Sequence, residues 1–266
     1  TKRLIGEEGY EVPVIAKIEK VQAMENIGEI VRAADGLMVA RGDLGVETPL
    51  EKIPLLQKRI IAEGNAQAKP VITATQMLLS MVSNPRPMRA EVADVTSAVL
   101  DGTDALMLSE ETALGRYPVE AVSAMGRIAE AAEEELPPRE ADGARGEISL
   151  AITSAVCTIA RALGAKAILA PTRSGVTARL IARYRPKQPI LGMSSNPKTV
   201  KELTLTWGVV PHLIEDVRST DSLLERAETA ARETGLAGPG DTVVVTAGLP
   251  KGGTGAPNLI RVVVLE

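Results

Sequence analysis

A lysine and two carboxylates stand where they could do chemistry. Lys17 and Glu19 close an apolar run over residues 12–19, and Asp43 follows a second apolar run over 36–40, just after Arg41 and Gly42. A short apolar run entered by a proline reads as a buried parallel strand. Side chains alternate along a strand, so Lys17 and Glu19 share one face at its carboxyl end. Between the runs Val21, Met24, Ile27, Ile30, Val31 and Ala34 recur at helical spacing, and the unit reads strand–helix–strand. The carboxyl ends of neighbouring parallel strands are where α/β proteins place their chemistry. Hard divalent ions such as Mg²⁺ choose carboxylates and keep several waters, which suits a two-ligand site made from Glu19 and Asp43. The competing reading is a solvated strand-end ion pair of little consequence. Spacing alone leaves both open.

The elements that must position these residues follow in order. A helix is expected from about Pro49, with Leu50, Ile53, Leu56 and Ile60 on one face. A strand over 71–74 then delivers Thr75 at its carboxyl end. Asn84-Pro85-Arg86-Pro87 reads as a rigid loop. A helix over 89–100 turns Val92, Val95 and Val99 inward and stops at Asp101-Gly102. A strand over 105–108 ends at Ser109, and a helix over 118–135 places Val122, Met125 and Ala129 at core spacing. The pattern is α/β with four βα units, whereas a closed barrel of this kind needs eight strands. Residues 1–136 are therefore expected as one domain and 137–147, rich in Pro, Gly and charge, as a linker.

Residues 148–266 are expected as a second α/β domain with five strands, at 167–170, 190–193, 209–213, 242–246 and 260–265. Its first helix, over 148–163, would bury Ile152, Val156, Ile159 and Leu163. Helices near 177–184, 197–205 and 220–234 fall between the strands. Thr172-Arg173-Ser174-Gly175-Val176-Thr177 leaves a strand and opens a helix. Hydroxyls, a glycine and helix-start N–H groups make a phosphate cradle, although such loops also commonly just cap helices.

Four stretches carry a resemblance. Ile15-Ala16-Lys17-Ile18-Glu19, Met38-Val39-Ala40-Arg41-Gly42-Asp43-Leu44-Gly45, Ile72-Thr73-Ala74-Thr75-Gln76-Met77 and Leu108-Ser109-Glu110-Glu111-Thr112-Ala113 together resemble pyruvate kinases. The resemblance implies the second half of a TIM-type (β/α)8 barrel followed by the family's C-terminal regulatory domain, without the earlier barrel strands and the inserted lid. It also implies phosphoryl transfer from phosphoenolpyruvate to ADP, giving pyruvate and ATP, with Mg²⁺ (or Mn²⁺) and K⁺. Glu19 and Asp43 would hold the divalent metal, and Lys17 would stabilise the phosphoryl group in flight. Gly42 lets backbone approach an anion, and its neighbouring N–H groups would bind the substrate carboxylate. Thr75 would lie beside the substrate and serve protonation of the enolate as part of a relay, since a threonine hydroxyl is a poor acid alone. The competing reading of Thr75 is a cap on the next short helix.

Glu110 stands where a common family version has Gly, which leaves the roles of Glu110 and Glu111 open. Arg86 and Arg89 read as loop and interface ion-pairing residues. In the second domain the resemblance implies a sugar-phosphate effector at Thr172, Arg173, Ser174, Gly175 and Thr177, completed by the loop over 248–255. Val176 supplies no charge, so the ligand stays open. The family is usually a homotetramer. A half-barrel leaves two open sheet edges, and the chain opens on Thr rather than Met, which reads as a fragment or a processed chain. Little or no turnover is expected of this chain alone unless a complementary segment supplies the other half. Two rivals are a non-catalytic sugar-phosphate-binding regulatory module and a divalent-metal lyase or aldolase.

Composition excludes several other classes. The net charge of −4 is spread over interspersed acids and bases, so no nucleic-acid partner is expected. No apolar run approaches membrane-spanning length and no signal-peptide pattern precedes the first strand, so no membrane is expected. His212 is the one histidine, which rules out a His-based metal cluster and a Ser-His-Asp triad. Cys157 is also single, cannot form an internal disulfide, and fits a reducing cytoplasm and a core position. Phe is absent and aromatics total 2%, so the cores must be aliphatic.

Overall fold

The computed structural model describes residues 1–137, 139, 147–217, 219–248 and 257–266. The chain divides into two compact units, Thr1–Leu136 and Pro137–Glu266. In the first, helix α1 (Lys2–Glu7) precedes four strands, β1 (Ile15–Ile18), β2 (Gly36–Ala40), β3 (Val71–Ala74) and β4 (Ala105–Met107). They pair in sequence order, all parallel, with Lys17 beside Met38 and Ala40 beside Ala74. Among the described residues the sheet stays open, with β1 and β4 as its edges.

Between the strands run α2 (Ile27–Ala33), α3 (Arg41–Glu47), α4 (Ile53–Ala66) and α5 (Arg89–Asp101), and after β4 come α6 (Glu110–Ala113) and α7 (Pro118–Glu134). Strand β2 is apolar throughout because both of its faces are covered; Leu37, Val39 and Ala40 are fully buried. Leu37 joins Ile18, Val31, Ile60, Ile61 and Val71 in one cluster under α4. A Cβ on Gly64 would run into Val71 Cγ2, so this glycine lets α4 settle directly onto the sheet. As expected, α5 ends on Gly102 in the left-handed conformation, with φ +93.

Several local expectations are corrected. The helical run over 21–34 is two pieces, a 3₁₀ turn at Val21–Met24 and α2, parted at Asn26, where φ is −114. Asparagine readily leaves helical geometry to start a new segment. Leu50 is exposed in a 3₁₀ turn, Leu50–Lys52, and α4 starts only at Ile53. Pro54 has no N–H to return to the Leu50 carbonyl, so an α-helical turn cannot close there. Val122 faces solvent, while Met125 is buried as expected and is joined by Ala121, Ala124 and Ala132. The small alanines suit the close packing of α7 on α5. The strand over 105–108 stops at Met107.

In the second unit β5 (Ala167–Pro171), β6 (Ile190–Ser194), β7 (Val209–Leu213), β8 (Thr242–Ala247) and β9 (Leu259–Val264) form a five-stranded sheet in the order β7-β6-β5-β8-β9. All pairs are parallel except β8 with β9, which the sequence reading did not specify. Helices α8 (Ile148–Ala162), α9 (Val176–Ala182), α10 (Pro197–Leu203) and α11 (Thr220–Glu233) lie between or before the strands. One core cluster joins Val156, Ile168, Ile181, Ile190 and Val244, and another joins Leu169, Leu191, Ala227, Ala231 and Val245. Leu163, expected on the buried face of α8, is exposed, because it is the residue on which that helix ends. The expected linker over 137–147 and the loop over 248–255 lie almost wholly outside the described residues.

Cys157 packs half-buried on α8, its Sγ donating to the Ile181 carbonyl at 3.9 Å. Burial pushes its pKa up to about 12, with Arg161 offsetting only part of that shift. The thiolate is the reactive form. The folded protein should therefore label with a disulfide reagent at pH 8 far more slowly than the same chain in denaturant. Equal rates would show an open thiol.

Candidate active site

Strand β1 ends by turning Lys17 outward, and its ammonium is shared by two carboxylates. Glu19 Oε1 comes from the same strand end, and Asp43 Oδ2, at 3.0 Å, comes from the helix that follows β2. The three residues named from spacing therefore meet in space. All three side chains keep 42–50% of their surface exposed, so the cluster is open to solvent. Glu19 first and Asp43 second hold the ammonium, which raises the Lys17 pKa above its ordinary 10.5. Among the described residues no three His, Cys, Asp or Glu side chains group as a metal site.

Helix α3 begins immediately after β2, whereas the sequence reading placed no helix before about Pro49. Asp43 thus sits in a helical first turn, where a carboxylate is favoured by the helix dipole. Gly42, beside which an anion was expected to approach the backbone, donates its own N–H to Thr75 Oγ1 at 2.8 Å. Thr75 Oγ1 in turn donates to the Ala74 carbonyl at 2.6 Å. Thr75 does serve as a cap, but of α3, reached across the sheet. It does not open the following 3₁₀ turn, which starts after Leu78.

The backbone at this point is strained. Thr75 has φ +70 and Gln76 has φ +54, and neither is a glycine. A β-branched residue in the left-handed region is a true outlier, costing about 1–3 kcal/mol. Arg41 answers that geometry. Its Nη2 donates to the carbonyls of Thr75 (2.8 Å) and Gln76 (3.0 Å), its Nε to Thr75 (3.2 Å), and its Nη1 pairs with Asp94 at 2.6 Å. Arg41 was noted in the sequence only as a strand-end charge. Its one available signal was a cation beside an otherwise apolar strand, and Asp94 gave none.

Glu111, whose role the sequence left open, is buried at 1% exposure. It accepts the N–H of Leu78 at 3.0 Å and of Ser109 at 2.8 Å, tying the loop after β3 to the end of β4. Glu110 is exposed and caps nothing with its side chain.

In the second unit Thr172 Oγ1 accepts the Gly175 N–H at 3.0 Å, closing a tight turn before α9. Gly175 has φ +80, and a Cβ there would press on the Arg179 guanidinium, so this position needs glycine. Arg179 Nη2 donates to the Ser174 carbonyl at 2.6 Å, while the Arg173 carbonyl accepts from Thr199 Oγ1 at 2.9 Å. Arg173 and Ser174 are exposed, but Thr177 is buried within α9. The turn therefore presents two of its five expected residues openly and uses Thr172 and Gly175 to hold its own shape.

Comparison with known proteins agrees with this architecture on both units. Residues 1–122 match the family model described as the pyruvate kinase barrel domain, and residues 150–263 match that of the pyruvate kinase alpha/beta domain. Pyruvate kinase 2 of Synechocystis sp. is 50% identical over 266 residues, covering 100% of this chain and 45% of the relative. The pyruvate kinase of Geobacillus stearothermophilus is 49% identical over 264 residues, covering 97% of the chain and 45% of the relative. That of Clostridium acetobutylicum is 43% identical over 271 residues, covering 100% and 57%. The chain thus spans about half the length of the curated relatives it matches. Two family models in the family's own order, with whole-chain identity to its members, show that the chain belongs to the pyruvate kinase family.

Proposed function

We propose that this chain supplies the metal-holding and phosphoryl-holding face of a pyruvate kinase, together with that enzyme's C-terminal effector domain. The observation that carries the reading is the Lys17 ammonium shared between Glu19 and Asp43. Two half-exposed carboxylates that already converge on one cation fit a hard divalent ion such as Mg²⁺ or Mn²⁺, with water and substrate oxygens filling the remaining positions. When bound, the ion would polarise the substrate oxygens and neutralise charge in the transfer from phosphoenolpyruvate to ADP.

The chain's own residues then have distinct tasks. Lys17 faces the phosphoryl group and offsets the negative charge spread over its oxygens in a loose transition state. Gly42 N–H is a backbone donor that can pass from Thr75 to a substrate carboxylate. Thr75 Oγ1, so released, can turn toward the enolate as a link in a proton relay. Association with K⁺, a tetrameric assembly and a cytoplasmic setting belong to this reading through the family. Among the described residues no helix is long and apolar enough to cross a membrane.

The open turn at Arg173 and Ser174 supports the effector part of the reading. A sugar phosphate that raises the melting temperature of the chain without any turnover would favour a regulatory module over an enzyme.

The test is pyruvate formation from phosphoenolpyruvate and ADP with Mg²⁺ and K⁺, by this chain alone and mixed with the preceding segment of a relative. Mn²⁺ binding is followed in parallel by electron paramagnetic resonance. Glu19→Gln and Asp43→Asn should each weaken Mn²⁺ by at least about 10–100-fold, the loss seen when even supporting groups of a metal site are removed. Unchanged Mn²⁺ affinity in both variants would remove the metal role from these carboxylates.

A further inference from the structure

We propose that Arg41, anchored by Asp94, is a positioning residue that sets the Thr75 hydroxyl against the start of the helix carrying Asp43; its catalytic consequence rests on the reading of Thr75 given above. The end of β3 has no local reason to adopt its shape. Thr75 and Gln76 both lie in the left-handed region, with φ +70 and +54, and neither Gly nor Asn is present to make that conformation easy. Something outside the segment must select it.

The guanidinium of Arg41 is what meets the turned carbonyls. It takes Thr75 O with two nitrogens and Gln76 O with one of the same two, while its remaining arm is held by Asp94. The Arg41 side chain is only 9% exposed, so these donors are directed by packing rather than left to wander in water. The connection also runs the other way. Gly42, the residue next to Arg41, gives its N–H to Thr75 Oγ1 at 2.8 Å. Arg41 therefore fixes the Thr75 backbone, and the Thr75 side chain fixes the backbone beside Arg41. This closed loop of contacts joins the end of β3 to the first turn of α3, one residue from Asp43.

Charge alone cannot do this. A planar fork spans two carbonyls and a carboxylate at once, whereas a lysine ammonium is a single point that must choose among them. Arg41→Lys keeps the charge and removes the fork, so it separates positioning from a simple buried ion pair. Asp94→Asn keeps the shape and removes the anchor's charge.

The readout is the Gly42 amide, followed by ¹H–¹⁵N spectroscopy and hydrogen exchange in the full chain. Thr75→Val, which deletes the acceptor, and Thr75→Ser, which retains it, calibrate the signal. With Arg41→Lys the protection of Gly42 should fall by about tenfold, the size of one lost hydrogen bond, toward the Thr75→Val value. Asp94→Asn should move it the same way by less. Protection within about twofold of wild type in folded Arg41→Lys, a change too small for a lost hydrogen bond, would overturn the proposal. Should Arg41→Lys fail to fold, the same limit applied to Asp94→Asn decides. Exchange of the methyl protons of pyruvate in D₂O with Mn²⁺ is measured alongside, in the chain completed by the preceding segment of a relative. If Thr75→Val leaves that exchange unchanged while Arg41→Lys still frees Gly42, the clamp stands and the catalytic reading of Thr75 falls.

Discussion

In the chain completed by the preceding segment of a relative, Lys17→Met is expected to cut phosphoryl transfer sharply and yet tighten the binding of a divalent ion. The ammonium lies between the Glu19 and Asp43 carboxylates, 3.0 Å from Asp43 Oδ2, and so neutralises the oxygens a metal would take. Its removal strips one preorganised cation from the transferring group, a loss of about 10²–10³-fold in turnover. The carboxylates are then left facing each other, and an ion that relieves their repulsion gains. Because the cluster is half-exposed and screened, the gain in Mn²⁺ affinity should be a few-fold rather than large. Equal or weaker Mn²⁺ binding by folded Lys17→Met would show that ammonium and metal do not compete. The pH dependence follows the same contacts. Glu19 and then Asp43 raise the Lys17 pKa above 10.5. A raised pKa means that the ammonium's contribution is complete below the unfolded value and is lost as pH rises through the folded one. The ammonium's part of the cluster should therefore persist throughout the neutral range and be lost only in strong alkali.

Leu37→Ala should lower the stability of the first unit by about 2–5 kcal/mol, toward the upper part of that range. Leu37 is fully buried in β2 and belongs to the cluster that also holds Ile18, Val39 and Leu44. The void would open toward Gly64, whose built Cβ would come within 3.4 Å of Leu37 Cδ1. A glycine has no side chain to swing into the space, and the stiff Val71 beside it cannot follow easily. Far-UV circular dichroism through a urea titration reads the whole chain, whereas Trp207, the one tryptophan, reports on the second unit. The dichroism transition should move to lower urea while the Trp207 fluorescence transition stays in place. Equal shifts in both would mean that the two units unfold as one.

The same variants bear on how much was legible in the sequence. Strand β2 was readable residue for residue, because an apolar run over 36–40 between charges needs no distant information. The meeting of Lys17 with Glu19 was readable too, since alternation puts both on one face of β1. Gly102 announced the end of α5 because few other residues accept a left-handed cap at low cost. The face of α7 was misread at Val122 because periodicity gives a stripe but not which of two adjacent stripes the neighbouring helix selects. The start of α4 was misplaced because the missing N–H of Pro54 acts four residues earlier than the proline itself.

For the candidate site, the sequence by itself determined the residue types and their delivery: Lys17 and Glu19 from one strand end, Asp43 after the next, Thr75 after the third. Those assignments rest on local periodicity and on motif, both of which operate within a few residues. Only the tertiary structure decided that Thr75 turns into the left-handed region, that its hydroxyl caps α3, and that Arg41 faces inward. Arg41 reaches Thr75 across 34 positions of the chain and Asp94 across 53. Contacts at such separation depend on how the strands and helices pack, and a buried guanidinium can override the preferences of a threonine that no local rule would place there.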